Sequence, residues 1–153
     1  MSLRVIIEEK YKSAIKAKNT NEINTFRLIK SAIKDKDISI RTINNKEGIN
    51  EKEIISLLQS LVKQRKDSID SFKKAFRDDL ISIEQREIDI ISQFLPKQMN
   101  QLETENIINK IIKENSLESI KDMSKLMNEL KNNHAGSIDM ALAGKIAKSN
   151  LSS

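Results

Sequence analysis

No cysteine and no tryptophan occur in the 153 residues, and there are only one histidine, one proline and three glycines. Without thiols, disulfides, thiolate nucleophiles and cysteine zinc sites are excluded. His134 by itself cannot build a histidine triad or a multi-histidine metal centre, and it reads as a polar loop residue. No metal and no cofactor is therefore expected. So few glycines and prolines do not suit the many turns of a β-rich chain, which leaves an all-α fold. Aromatic residues make up 3% of the chain, so the core must be aliphatic, mainly Ile and Leu, with few ring faces for stacking. No apolar run approaches the roughly 18 residues of a membrane span. The opening Met-Ser-Leu-Arg-Val-Ile-Ile-Glu-Glu has too short an apolar stretch for a signal-peptide core. A cytoplasmic location with no membrane partner is the expectation.

What the chain does have is charge of both signs and helical periodicity. The net charge is +5; 19 basic and 15 acidic residues precede Pro96, against 8 and 7 from Pro96 onward. Such intimate mixing describes a solvated helix surface with mild attraction to polyanions, not a strong non-specific binder.

Spacing and caps predict seven helical segments. The first runs from a Ser2 cap to about Lys18, with Leu3, Ile7, Tyr11, Ala14 and Ile15 on one face. After a polar break at Asn19-Thr20-Asn21, a second turns Ile23, Phe26, Ile29 and Ile33 inward. Asp37 to Asn50 reads as a loop. Asn50 and Glu53 open the longest helix, to about Phe76, with Ile54, Leu57, Leu58, Leu61, Arg65, Ile69, Phe72 and Phe76 at helical spacing. The next spans about Asp79 to Phe94, with Leu80, Ile83, Glu84, Glu87, Ile88, Ile91 and Leu95, and Pro96 stops it. Beyond lie three short helices: one from Asn100 to about Glu114, one opened by Ser119 and Asp122, and one capped by Asp139. Asn132 to Gly136 is the loop before the last. The organisation expected is an N-terminal long-helix domain, 1–96, followed by a C-terminal three-helix bundle, 97–153.

Two stretches carry a resemblance. Lys63-Gln64-Arg65-Lys66-Asp67-Ser68, with Phe72, Arg77-Asp78-Asp79-Leu80, Glu84, Glu87, Ile91 and Phe94-Leu95-Pro96, is similar to the central signature of YqeY-like proteins. Asp122 to Met127, then Gly136-x-x-Asp139 and the terminal helix to Leu151, resembles the three-helix tail that YqeY shares with the GatB subunit of the glutamine-dependent tRNA amidotransferase. Arg27-Leu28-Ile29-Lys30 and Ser2-Leu3 fit the family's opening pattern, so the likeness covers essentially the whole chain. This sequence has Ser124 where the family usually has glycine, and Asn-Asn-His-Ala-Gly in a loop that is commonly more basic and glycine-rich. The resemblance implies an all-α protein of two helical units. It also implies a tail that approaches tRNA, without the amidase or kinase-like bodies that perform the amidotransferase chemistry.

The candidate residues each admit more than one role. Arg27, Lys30 and Lys34 share a helix face and form a stripe that can follow a phosphate backbone or simply be solvated. Lys125, Lys131, Lys145 and Lys148 lie in the tail, with the Gly136-Ser137 turn before a helix N-terminus. The GatB likeness directs tRNA contact there, while Asp139 competes for the same N–H groups. Lys63 and Lys66 stand within reach of Asp67 and Asp70 as an ion network. Arg65 falls on the apolar side and can bury its stem while pairing with Glu84 or Glu87. Those two acids, with Asp78 and Asp79, read as caps and salt-bridge partners, or as an acid–base or metal pair. Asp79 suits an N-cap. No phosphate-binding glycine loop and no nucleophile in a triad context is present. The reading is a non-catalytic module that binds tRNA or a tRNA-handling complex. The alternatives are a carbon–nitrogen ligase active only with a catalytic partner, and a protein–protein adaptor.

Overall fold

The computed structural model describes residues 2–41, 46–134 and 136–151, and every regular element among them is helical. Two compact units, Met1–Leu95 and Pro96–Ser153, each have their own apolar core.

The N-terminal unit has four helices: α1 (Leu3–Lys16), α2 (Thr20–Ser39), α3 (Glu51–Lys74) and α4 (Asp78–Ser92). Ser2, Asn19 and Asn50 start the first three, each side-chain oxygen accepting from a backbone N–H three residues on. α3 and α4 form the most extensive helix pair, and α2 packs against α1, α3 and α4. The buried stripe Phe26, Ile29 and Ile33 of α2 meets Ile54, Leu58 and Leu61 of α3 and Ile88 and Ile91 of α4 in one core. The Phe26 and Phe94 rings meet edge to face at 5.9 Å.

Several sequence expectations give way here. The break after α1 is only a turn, because Asn19 itself caps α2. The segment from Asp37, expected to be a loop, begins as helix and stays so to Ser39. Asp37 does not compete with its own backbone, because its carboxylate is held from outside the helix by Arg4 and the Ile49 N–H. Residues 42–45 of that expected loop lie outside the described residues. Gly48, at φ 87°, brings the chain hard against this clasp; a Cβ there would come within 2.8 Å of the Arg4 guanidinium and collide with the Asp37 carboxylate. α4 begins at Asp78 with Arg77 as N-cap, so Asp79 is not the cap; it pairs with Arg77 instead. Ile15 and Ile83, expected inward, are exposed at the margins of their helices, whereas Val62, absent from the expected stripe, is buried. Phe76 is 90% exposed. Its positive φ of 56° ends α3 and turns the ring off the face that helical spacing assigns it.

The C-terminal unit comprises α5 (Gln101–Glu114), a 3₁₀ turn (Ile120–Asp122), α6 (Met123–Asn133) and α7 (Met140–Asn150). Asn100 and Asp139 cap α5 and α7, and Ser119 with Asp122 forms a capping box at the 3₁₀ turn. Ile108 and Ile111, Leu126 and Leu130, and Ala143, Ile146 and Ala147 converge, and small alanines let α7 lie close to both neighbours. Asn132 and Asn133 complete α6 rather than starting the loop; Ala135 is outside the described residues.

Candidate functional site

Leu3–Lys16 and Thr20–Ser39 are joined by a three-residue turn, so α1 and α2 run antiparallel and align one polar stripe on each. On α1 the stripe is Arg4, Glu8 and Tyr11, at the four- and three-residue spacing of one helix face. On α2 it is Arg27, Lys30, Lys34 and Asp37. Together with Ile7, Ser31 and Ile33 they line a cleft of about 520 Å³, within the range of small-ligand pockets.

Polar pairs cross this cleft in antiparallel order. Arg4 grips Asp37 with two bonds of 2.9 and 2.7 Å and also donates to the Ile49 carbonyl at 2.9 Å. Lys30 pairs with Glu8 at 2.7 Å while its ammonium stands 4.3 Å above the Tyr11 ring. Arg27 Nε donates to the Tyr11 hydroxyl at 3.3 Å. The Arg4 hydrogen bonds hold the Asp37 carboxyl below the usual aspartate value, and Asp37 raises the Arg4 guanidinium in return. Lys30 likewise lowers Glu8.

Four cations thus face two carboxylates. Arg4 and Lys30 are matched; among the described residues neither Arg27 nor Lys34 has a carboxylate within 4.0 Å. The two lie seven residues apart, roughly 10 Å along the helix axis. Chemically the arrangement is an anion-attracting trough with an aromatic wall. The stripe Arg27, Lys30 and Lys34 was legible from spacing. What spacing did not show is the aromatic beside it, Tyr11, which comes from the other helix. Arg4, Glu8 and Asp37 were missed as well, although the 4–8–11 spacing on α1 was available as a signal.

Within the central signature, Arg65 is buried with Nε on Glu87 at 2.7 Å and Nη1 on the Leu61 carbonyl at 2.8 Å. Of the two acids offered by sequence, Glu87 is the partner; Glu84, half-buried, has no cation within 4.0 Å among the described residues. Ser68 bonds back to the Gln64 carbonyl and Arg77 pairs with Asp79, while Leu80 and Leu95 are half-buried and Pro96 is exposed. Gln64 and Arg65 line a second groove, with Arg27 and Asn24 of α2. Lys63, Lys66, Asp67 and Asp70 form no ion pair among the described residues, so the expected network is absent there. No three His, Asp or Glu side chains among the described residues converge to hold a metal.

In the C-terminal unit Lys125, Lys131, Lys145 and Lys148 are exposed on α6 and α7. The turn between these helices is internally committed. Ser137 donates its N–H to the His134 carbonyl and accepts from the Met99 N–H, and the Gly136 carbonyl accepts from Gln98. Asp139 takes the Ala141 and Leu142 N–H groups at 3.0 and 3.3 Å, so α7's first turn is satisfied by its own cap. Asp122 is held below its usual value by the Glu118 and Ser119 N–H groups. No described helix is long and apolar enough to cross a membrane.

Comparison with known proteins places residues 4–151 under one family model, described as Yqey-like protein. Among curated proteins the chain is similar to altered inheritance of mitochondria protein 41, mitochondrial, of Saccharomyces cerevisiae. They are 36% identical over 84 residues, which cover 55% of this chain and 43% of the yeast protein. The protein of that name in Clavispora lusitaniae is 38% identical over 84 residues, covering 55% of this chain and 46% of its own. In Lachancea thermotolerans the figures are 35% over 89 residues, 58% and 46%. The matched stretch spans less than half the length of these relatives.

Proposed function

The chain belongs to the YqeY-like protein family, and from that premise we propose a non-catalytic module that binds tRNA or a tRNA-handling complex. The observation that carries this reading is the α1–α2 cleft, where Arg27 and Lys34 face solvent without carboxylate partners among the described residues, beside the Lys30-capped ring of Tyr11. A polyanion engages such a surface by replacing the counterions of its phosphates, so unmatched cations contribute most and Arg4 and Lys30, already paired, contribute less. The exposed lysines of the C-terminal unit, Lys125, Lys131, Lys145 and Lys148, supply a second basic surface. Support for the Gly136-Ser137 turn is weaker, because its polar groups and the α7 N–H groups already have partners. A cytoplasmic setting belongs to this reading; the fungal relatives carry the word mitochondrial in their names.

Fluorescence anisotropy with labelled tRNA tests it. Binding should weaken steeply with salt, and Arg27→Glu with Lys34→Glu should reduce affinity about tenfold or more and flatten the salt slope by about one per lost phosphate contact. Charge reversal at Lys125, Lys145 and Lys148 measures the share of the second surface. Unchanged affinity in both sets overturns the reading. Glutamine-dependent amidation of mischarged tRNA on adding amidotransferase subunits would replace it with a partner-dependent ligase. Protein partners that survive nuclease treatment, with no RNA recovered, would replace it with an adaptor.

A further inference from the structure

Three helices of this glycine-poor chain end in the same way. At the ends of α1, α3 and α5 a residue with positive φ, Lys18, Phe76 or Ser116, lets the next N–H reach back five residues, to Ala14, Phe72 and Ile112. This is the Schellman closure, at a position where glycine is preferred because any Cβ is strained in the left-handed region. A polar residue there is common enough. A phenylalanine is an outlier, and Phe76 is also 90% exposed, the most exposed of the large hydrophobic residues described. Neither packing nor backbone preference accounts for it.

Beside Phe76 in the chain, Ser71, Lys73, Lys74, Ala75, Arg77 and Asp78 are all exposed. Arg77 is paired with Asp79 at 3.0 Å. Lys73 and Lys74, in the last turn of α3, have no carboxylate within 4.0 Å among the described residues. Protein docking draws on a patch of several apolar side chains shielded from water, whereas from 73 to 79 every residue but Phe76 is small or charged, and the large apolar residues on either side, Phe72 and Leu80, are half-buried. Stacking a nucleobase needs only one exposed ring with cations near enough to meet the adjoining phosphates. We propose that Phe76, with Lys73 and Lys74, is a stacking platform for one unpaired base in a single-stranded or looped stretch of RNA. The inference rests on the RNA-binding reading above and assigns the kind of RNA structure recognised.

The absence of tryptophan makes Phe76→Trp a clean reporter. The probe is a mixed-sequence RNA dodecamer, offered as a single strand and as a duplex. The single strand should quench the tryptophan emission of that variant as it binds, and the duplex should not. Phe76→Gly should bind the single strand roughly tenfold more weakly, yet unfold at higher denaturant because the backbone strain is gone. That opposite movement separates loss of the ring from loss of the fold. Unquenched emission with the single strand bound, or full affinity in Phe76→Gly, overturns the stacking role. The cleft reading survives that result if binding still depends on salt and on Arg27 and Lys34. Absence of any RNA binding overturns both.

Discussion

Between α1 and α2 of the N-terminal unit three polar pairs cross from helix to helix, and Arg65 to Glu87 joins α3 to α4. The C-terminal unit brings together three helices through Leu, Ile and Ala, with one Asn150–Asn109 bond of 2.8 Å between α7 and α5. Its only described ion pair, Lys110 to Glu114, lies within α5 at 4.0 Å. Both units bury a threonine, Thr25 and Thr104, and both satisfy its hydroxyl on the carbonyl four residues back. The difference is therefore in what fixes helix register. In the C-terminal unit apolar shape does so; in the N-terminal unit charged side chains do so as well, and the same side chains build the candidate cleft. In the N-terminal unit the paired side chains and the unpaired Arg27 and Lys34 share one cleft, whereas in the C-terminal unit the exposed lysines stand apart from the apolar core.

The largest expected effects treat the two cores alike. Leu58→Ala and Leu126→Ala, both at fully buried positions, should each lose about 2–5 kcal/mol in denaturant unfolding; a loss under 1 kcal/mol at either would show a core less closely packed than it looks. Next comes the Arg65–Glu87 pair, the one ion pair among the described residues with a buried partner. Arg65→Ala leaves Glu87 without its partner beside the core and should cost about 2 kcal/mol, less than a fully enclosed pair because Glu87 is partly solvated. Arg65→Met should recover part of that loss by restoring apolar packing, and equal stability of the two variants would deny the arginine stem a packing role.

Acid should act on the clasp. Asp37 is depressed in the folded state by Arg4, so its contribution is present above the ordinary carboxylate range and lost as pH falls through the lower folded value. Asp37→Asn should therefore cost about 1 kcal/mol at pH 7, and the gap from the parent should close as the pH falls below the ordinary aspartate range and through the lowered folded value. A gap that persists there would mean that Asp37 acts through geometry, not charge. The smallest effect belongs to the C-terminal unit. Ser116→Gly relieves the left-handed position after α5 and should add up to about 1 kcal/mol, with no dependence on salt.

Helix starts were legible because a cap is a local device. Ser2, Asn50, Asn100 and Asp139 each bond an N–H two or three residues away, and those oxygens are visible in sequence. Spacing likewise placed Phe26, Ile29 and Ile33 inward, and put Arg65 on the apolar face of its helix. Spacing failed at Phe76, Ile15 and Ile83, at a helix end or at the margin of a stripe, where whether a face is covered depends on the neighbouring helix. The stripe of Arg27, Lys30 and Lys34 could be read, but not the side chains opposite it: Tyr11 is 16 residues from Arg27, and Arg4 is 33 from Asp37.

By itself, then, the sequence determined an aliphatic, helical chain without thiols and with one histidine, its helix starts set by side-chain oxygens within one turn of the groups they cap. Tertiary structure decided which charges cancel and which stay available, since the Arg4–Asp37 and Arg65–Glu87 pairs span 33 and 22 residues. Contacts over such distances follow from how apolar ridges interlock between helices, and that register is a property of the packed unit, not of any one segment.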